Sequence, residues 1–317
     1  VKLGEIYALA VEMGMEHDPR GKEAVKALLE WEKKKYEEMK EEEREGYDQE
    51  RLRNPYNDTR ILYGDPEREV KVALVGIDVE TAEILLADRL RERGKPVDLV
   101  IAHHPEGRAL ADLFEVMHLQ ENVLARFGVP INVAEGILAS RISEVKRGLM
   151  PLNHFRPVDA ARLLDIPFMC VHTAADNLVT SYLQRLFDEK KPERVSDVLR
   201  ILREIPEYRI ALTQGAGPTV VVGDKEKRAG KVMVDMTGGT SGSPDAYEKM
   251  AQAGVGTVVA MHIKEEHRKE AEKHHINVVI AGHMASDSLG MNLFLDELAR
   301  RGVEIIPFSG LIRVARV

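Results

Sequence analysis

Two hydrophobic rhythms run along the 317-residue chain. Short apolar, largely β-branched runs at 70–77, 97–102, 168–171, 209–213, 220–222, 231–235, 257–261, 277–281 and 303–306 predict strands. Between them, apolar positions at helical spacing predict helices at 80–94, 109–127, 134–147, 158–164, 180–188, 195–204, 244–253, 264–274 and 288–301. Ser243 as N-cap and Pro244 at the first helical position mark the start of one of them. Strand, helix, strand is the unit of a parallel sheet, so the predicted class is α/β, with sheets flanked by helices. No period of about 20–50 residues recurs, which argues against a solenoid.

The first 55 residues have a different character. A helix over 3–15 ends at the Asp18-Pro19 breaker, and 22–45 sets Ala24, Leu28, Leu29, Trp31, Tyr36 and Met39 among many Lys and Glu. That pattern predicts a charged surface helix or hairpin packed by one apolar stripe, with a partner-binding arm as the alternative. The turn-rich stretch Asn54-Pro55-Tyr56-Asn57-Asp58 closes it. The expected division is a helical arm at 1–55, a first α/β lobe at 56–205 with a helical insertion at about 107–160, and a second α/β lobe at 206–317.

Composition narrows the function. Aromatics make up only 5% of the chain, so the core must be mostly aliphatic. The net charge of −8, from 53 acidic and 45 basic residues, argues against a dedicated nucleic-acid binder, which must neutralise phosphates. One cysteine, Cys170, excludes a disulfide framework and a cysteine zinc cage, and fits a reducing cytoplasm. No apolar run approaches the ~18–20 residues of a membrane span, and the opening residues do not read as a signal peptide, so no membrane partner is expected.

The chemistry gathers at strand ends. The run 97–102 leads into His103 and His104, and 168–171 leads into His172 with Asp176 shortly after. The run 257–261 leads into His262 with His267 beyond it, and 277–281 leads through Gly282 to His283 and Asp287. The run 70–77 ends at Asp78. His17, His118, His154, His274 and His275 do not follow this rule. In open α/β sheets the ligand site lies beyond the carboxyl ends of the strands. One histidine there is commonly a hydrogen-bonded structural residue, but the repetition points to a metal site. Imidazole with carboxylate suits zinc, iron, manganese, cobalt or nickel. His283 and Asp287 are spaced as neighbours on one helical turn.

Several segments resemble the Ngg-interacting-factor-three-like family, often labelled GTP cyclohydrolase I type 2 homologues. Leu99-Val100-Ile101-Ala102-His103-His104-Pro105 is similar to the family's paired-histidine motif, and Val171-His172-Thr173-Ala174-Ala175-Asp176-Asn177 to its His-Thr-x-x-Asp motif. Ala281-Gly282-His283-Met284-Ala285-Ser286-Asp287 resembles its Gly-His-x-x-x-Glu motif. Asp58-Thr59-Arg60-Ile61-Leu62-Tyr63-Gly64 is similar to its early Asp-Asn-x-Gly-Leu-x-x-Gly stretch, degraded in the middle, and His267 falls where the family has a histidine.

The resemblance implies two α/β lobes with the metal site between them at strand carboxyl ends, plus added helices. It implies two divalent metal ions (zinc, iron or manganese) held by His103, His104, Asp176, His283 and Asp287, with Asp176 or Asp287 bridging. Asp287 stands where the family has Glu, one methylene shorter. His172 would then support the ligands or serve as acid/base, and His267 would meet substrate. The resemblance also implies a ring-shaped homo-oligomer, a homohexamer.

Paired metals make hydrolysis of a small cyclic amide, amidine or phosphoester the leading activity. The alternatives are a non-catalytic metal-binding protein and a regulatory scaffold. Gln214-Gly215-Ala216-Gly217 and the loop 238–243 are candidate anion-binding segments, with plain turns as the competing reading.

Overall fold

The computed structural model describes all 317 residues and sorts its strands into two sheets. The first contains β1 (Arg60–Tyr63), β2 (Val72–Gly76), β3 (Leu99–Ala102) and β4 (Phe168–Cys170). The second contains β5 (Thr219–Val222), β6 (Lys231–Asp235), β7 (Val255–Ala260) and β8 (Asn277–Ile280). The last strand, β9 (Glu304–Pro307), returns to the first sheet and pairs with β2. Strand orders are β1-β4-β3-β2-β9 and β5-β8-β7-β6. The two lobes therefore repeat one topology. In each, a leading antiparallel strand pairs with the third of three consecutive parallel strands.

Burial explains the strands. β2 and β3 are buried at every position, as a parallel strand covered on both faces by helices must be. One buried cluster joins Val75, Leu99 and Ile101 of the first sheet to Val258 and Val278 of the second, so the lobes share a core. Helix Leu3–Glu16 belongs to that core through Leu3, Ile6 and Ala10, whereas helix Lys22–Glu38 buries only Val25 and Glu32.

Three differences from the sequence reading bear on the site. The run 209–213 is part of helix Pro206–Thr213, not a strand. Pro206 fits the first helical turn, where no amide partner is needed, and Tyr208 and Ala211 bury one helical face. The other two concern the helices expected at 180–188 and 288–301, which begin earlier, as Thr173–Lys190 and His283–Arg300. Each has an unbroken buried run at or near its start, Thr173–Thr180 and Ala285–Asn292, which erases the amphipathic signal. These two helices pack against each other. Gly290 permits the close approach: a Cβ there would lie 2.4 Å from the Ala175 carbonyl oxygen.

Candidate metal centre

Each candidate ligand is delivered by a strand end or the helix that follows it. His103 and His104 extend β3, and their amides donate to the carbonyls of Gly76 and Ile77, continuing the ladder past its last residue. His172 follows β4 and opens helix Thr173–Lys190, which carries Asp176 in its first turn. His283 follows β8 and begins helix His283–Arg300, with Asp287 one turn on.

The helices bring Asp176 and Asp287 together over the paired histidines. His103 Nε2 lies 3.4 Å from Asp176 Oδ1 and 3.5 Å from Asp287 Oδ1. Asp287 Oδ2 lies 3.3 Å from His104 Nε2 and 3.4 Å from His283 Nε2. Three overlapping sets have ligand atoms close enough to hold an ion: His103, Asp176 and Asp287; His104, His283 and Asp287; and His103, His104 and His172. All five residues assigned as ligands from the sequence are thus brought to one place, and His172 joins them.

Electrostatics in the metal-free cluster follow from this crowding. Burial would depress the His103 pKa, but Asp287 and Asp176 raise it well above the ordinary imidazole value. Burial also opposes protonation of His104, yet its contacts with Asp287 and Asp78 push it up to about 9. Asp287 is held far below the usual carboxylate range: burial disfavours its charge, and His103, His104 and His283 outweigh burial. His283 is lowered, chiefly by burial.

The cluster fits a cation on one further observation. His103 Nε2, Asp176 Oδ1 and both Asp287 oxygens are buried and have no hydrogen-bond partner. Each such group costs about 1–3 kcal/mol if left unsatisfied. Their convergence makes one environment in which a bound cation satisfies them together.

The opposite ring nitrogens are already occupied. His103 Nδ1 bonds the Val171 carbonyl at 2.9 Å, His104 Nδ1 meets Asp78 Oδ1 at 2.6 Å, and His172 Nδ1 meets Asp58 Oδ2 at 2.8 Å. Such partners fix which nitrogen faces the centre. Asp58 is fully buried and also accepts from the Thr173 hydroxyl and amide. Its role in aiming His172 was not readable from sequence, because 114 residues separate the two.

His267 stands apart. It belongs to none of the three sets; its Nε2 bonds the Gly242 carbonyl at 2.9 Å, and its Nδ1 is buried without a partner. His262, at the end of β7, packs its ring against His283 with centroids 4.9 Å apart. Both line a recess of about 80 Å³ beside the cluster, together with His172, Asp176, His283 and Asp287. The largest groove, about 720 Å³, lies along helix Leu3–Glu16 and contains none of these residues. No helix is long and apolar enough to cross a membrane.

Comparison with family models and with curated protein sequences finds no match. Among solved structures, the chain is similar to a NIF3 superfamily protein from Sphaerobacter thermophilus. Identity is 29% over 82% of this chain and 94% of that one, with a TM-score of 0.72. More distant similarity extends to reduced HcgD from Methanocaldococcus jannaschii, at 17% identity, 78% and 87% coverage and a TM-score of 0.47. It extends also to TTHA1606 from Thermus thermophilus, at 16% identity, 83% and 92% coverage and a TM-score of 0.45.

Proposed function

We infer that the chain is a member of the NIF3 superfamily, like the structure it resembles at 29% identity, and propose that it is a hydrolase using two divalent ions, of zinc, iron or manganese. The observation that carries this reading is the position of Asp287. Its Oδ1 faces His103, next to Asp176, and its Oδ2 faces His104 and His283, with neither oxygen otherwise bonded. One carboxylate therefore stands between two ligand sets, as a bridging ligand must.

Metals bound here supply Lewis-acid polarisation of a substrate oxygen and a water acidic enough to react near neutral pH. The remaining work falls to the chain. Asp58 holds the Nδ1 proton of His172, so its Nε2, 3.8 Å from Asp176 Oδ2, is the atom that accepts and returns a proton. Burial of Asp176 and Asp287 keeps bulk water from screening their charges. His267 acts through Gly242, fixing the wall of the recess. The substrate class is a small cyclic amide, amidine or phosphoester.

The homo-oligomer, a hexamer, is part of the same proposal. It is supported by exposed Leu85 and Leu86 on helix Thr81–Glu92 and exposed Leu163 on the adjoining helix Arg156–Leu163. Light scattering at micromolar concentration tests it, and a monomer refutes it.

The hydrolase reading is tested by metal content and by hydrolysis of a panel of cyclic amides and phosphoesters. His104→Ala is expected to lose metal and hydrolysis together. His172→Gln is expected to keep metal and lose turnover. Hydrolysis unchanged in His104→Ala refutes the reading, and bound metal with no hydrolysis of any panel member leaves a metal-binding protein.

A further inference from the structure

The segment 237–243, which lines the recess together with the candidate metal ligands, is braced through its carbonyls, and the Thr237 hydroxyl donates to Asn177 Oδ1 at 2.6 Å. Gln120 Nε2 donates to the carbonyls of Gly238 and Thr240, at 2.7 and 2.6 Å. Arg141 Nε donates to the Ser241 carbonyl at 3.0 Å, and His267 Nε2 to the Gly242 carbonyl at 2.9 Å. A planar trans peptide points its N–H away from its carbonyl. The amides of Gly239, Ser241, Gly242 and Ser243 therefore face away from these braces, and none of them has a partner within the protein.

Gly238 and Gly239 have φ of +89° and +85°, backbone that glycine alone adopts at little cost, so the course of the loop depends on both. Gly239, Thr240, Ser241 and Gly242 all line the recess. A hydrated surface turn needs no such bracing, yet Gln120 and His267 are buried to provide it.

Side chains extend the same chemistry. The hydroxyls of Thr240 and Ser241 and the ammonium of Lys264 make no hydrogen bond or ion pair with the protein, and all three residues line the recess. The volume, about 80 Å³, is several times the ~10–15 Å³ one water requires, which suits one compact group rather than a whole ligand.

We propose that this loop and Lys264 form a subsite for a phosphoryl group of the substrate, placed beside the metal centre. A carboxylate offers two oxygens, whereas the free amides of Gly239, Ser241 and Gly242, two hydroxyls and an ammonium match the three non-bridging oxygens of a phosphoryl group. The inference rests on the hydrolase reading only in calling the bound group part of a substrate, and it makes that substrate a phosphorylated one.

The test is calorimetric titration of inorganic phosphate, and separately of acetate, into the full-length protein, both metal-loaded and after chelation. Metal content is measured in parallel. In the chelated protein, phosphate is expected to bind at least about tenfold more tightly than acetate, and Lys264→Ala to weaken it about tenfold, with Lys264→Arg retaining most of the affinity. Metal content is expected to be unchanged in both variants. Should Lys264→Ala fail to fold, Ser241→Ala, which removes one hydroxyl donor, is expected to weaken phosphate several-fold.

Phosphate affinity unaltered by Lys264→Ala, or by Ser241→Ala in its place, overturns the subsite. So does acetate binding as tightly as phosphate. Metal that fails to bind while phosphate still depends on Lys264 overturns the hydrolase reading and leaves the subsite standing.

Discussion

Metal uptake by this cluster must compete with protons, and the competition can be worked out for His104. In the metal-free protein its pKa is about 9, because Asp287 and Asp78 outweigh the burial that opposes protonation. A metal ligand must be the neutral imidazole. At pH 7 the ring is two pH units below its pKa, so displacing its proton weakens metal binding about 100-fold, or about 2.7 kcal/mol. Apparent affinity is therefore expected to rise about tenfold per pH unit from 7 towards 9 through His104 alone, and more steeply where His103, also raised, yields its proton.

The stability of the chelated protein moves the other way. A folded pKa of about 9 lies above the ordinary 6.5. The stabilisation, roughly 3 kcal/mol, is fully present below 6.5 and is lost as pH rises through about 9. Calorimetric metal titration in buffers of different ionisation enthalpy counts the protons released. Release of one to two protons per chain at pH 7 is expected. No release, with affinity flat between pH 7 and 9, would rule out competition between protons and metal at His104.

Three further outcomes are expected. Asp18 is buried, accepts from Arg20 and the Tyr56 hydroxyl, and lies beside Asn177, the neighbour of Asp176. Asp18→Ala strands a guanidinium only 9% exposed, so urea unfolding should show a loss of about 3–5 kcal/mol, and a loss below about 1 kcal/mol contradicts this. Gly290→Ala drives a methyl against the Ala175 carbonyl and separates the helices that carry Asp176 and Asp287. A stability loss of about 1–3 kcal/mol with reduced metal content is expected, and native metal content in the variant counts against it. Asp287 is one methylene shorter than the Glu of the resembling family motif. Mild chelation should therefore strip one ion before the other, and Asp287→Glu should slow that loss; equal retention by both proteins sinks the idea.

Much of the candidate site could be read from the sequence because its residues sit where apolar runs stop. Period and polarity locate the ends of β3, β4 and β8 within a residue or two, and His103, His104, His172 and His283 stand just beyond them. The first turns of the two site helices could not be read, because Thr173–Thr180 and Ala285–Asn292 are buried all round and lack helical periodicity. Pairings across long separations were equally hidden. Asp58 with His172, and the return of β9 to β2, depend on topology that no local pattern encodes. The run 209–213 misled because a short apolar stretch fits a strand and a buried helix alike.

Under the proposed function, Asp287 stands between two metal ions. Anomalous diffraction from crystals of the full-length protein, collected on both sides of the absorption edge of the metal found by elemental analysis, tests it directly. Two peaks per chain are expected, one beside Asp287 Oδ1 with His103 and Asp176, the other beside Asp287 Oδ2 with His104 and His283. A single peak, or none, from crystals grown with excess metal above pH 8 would contradict it.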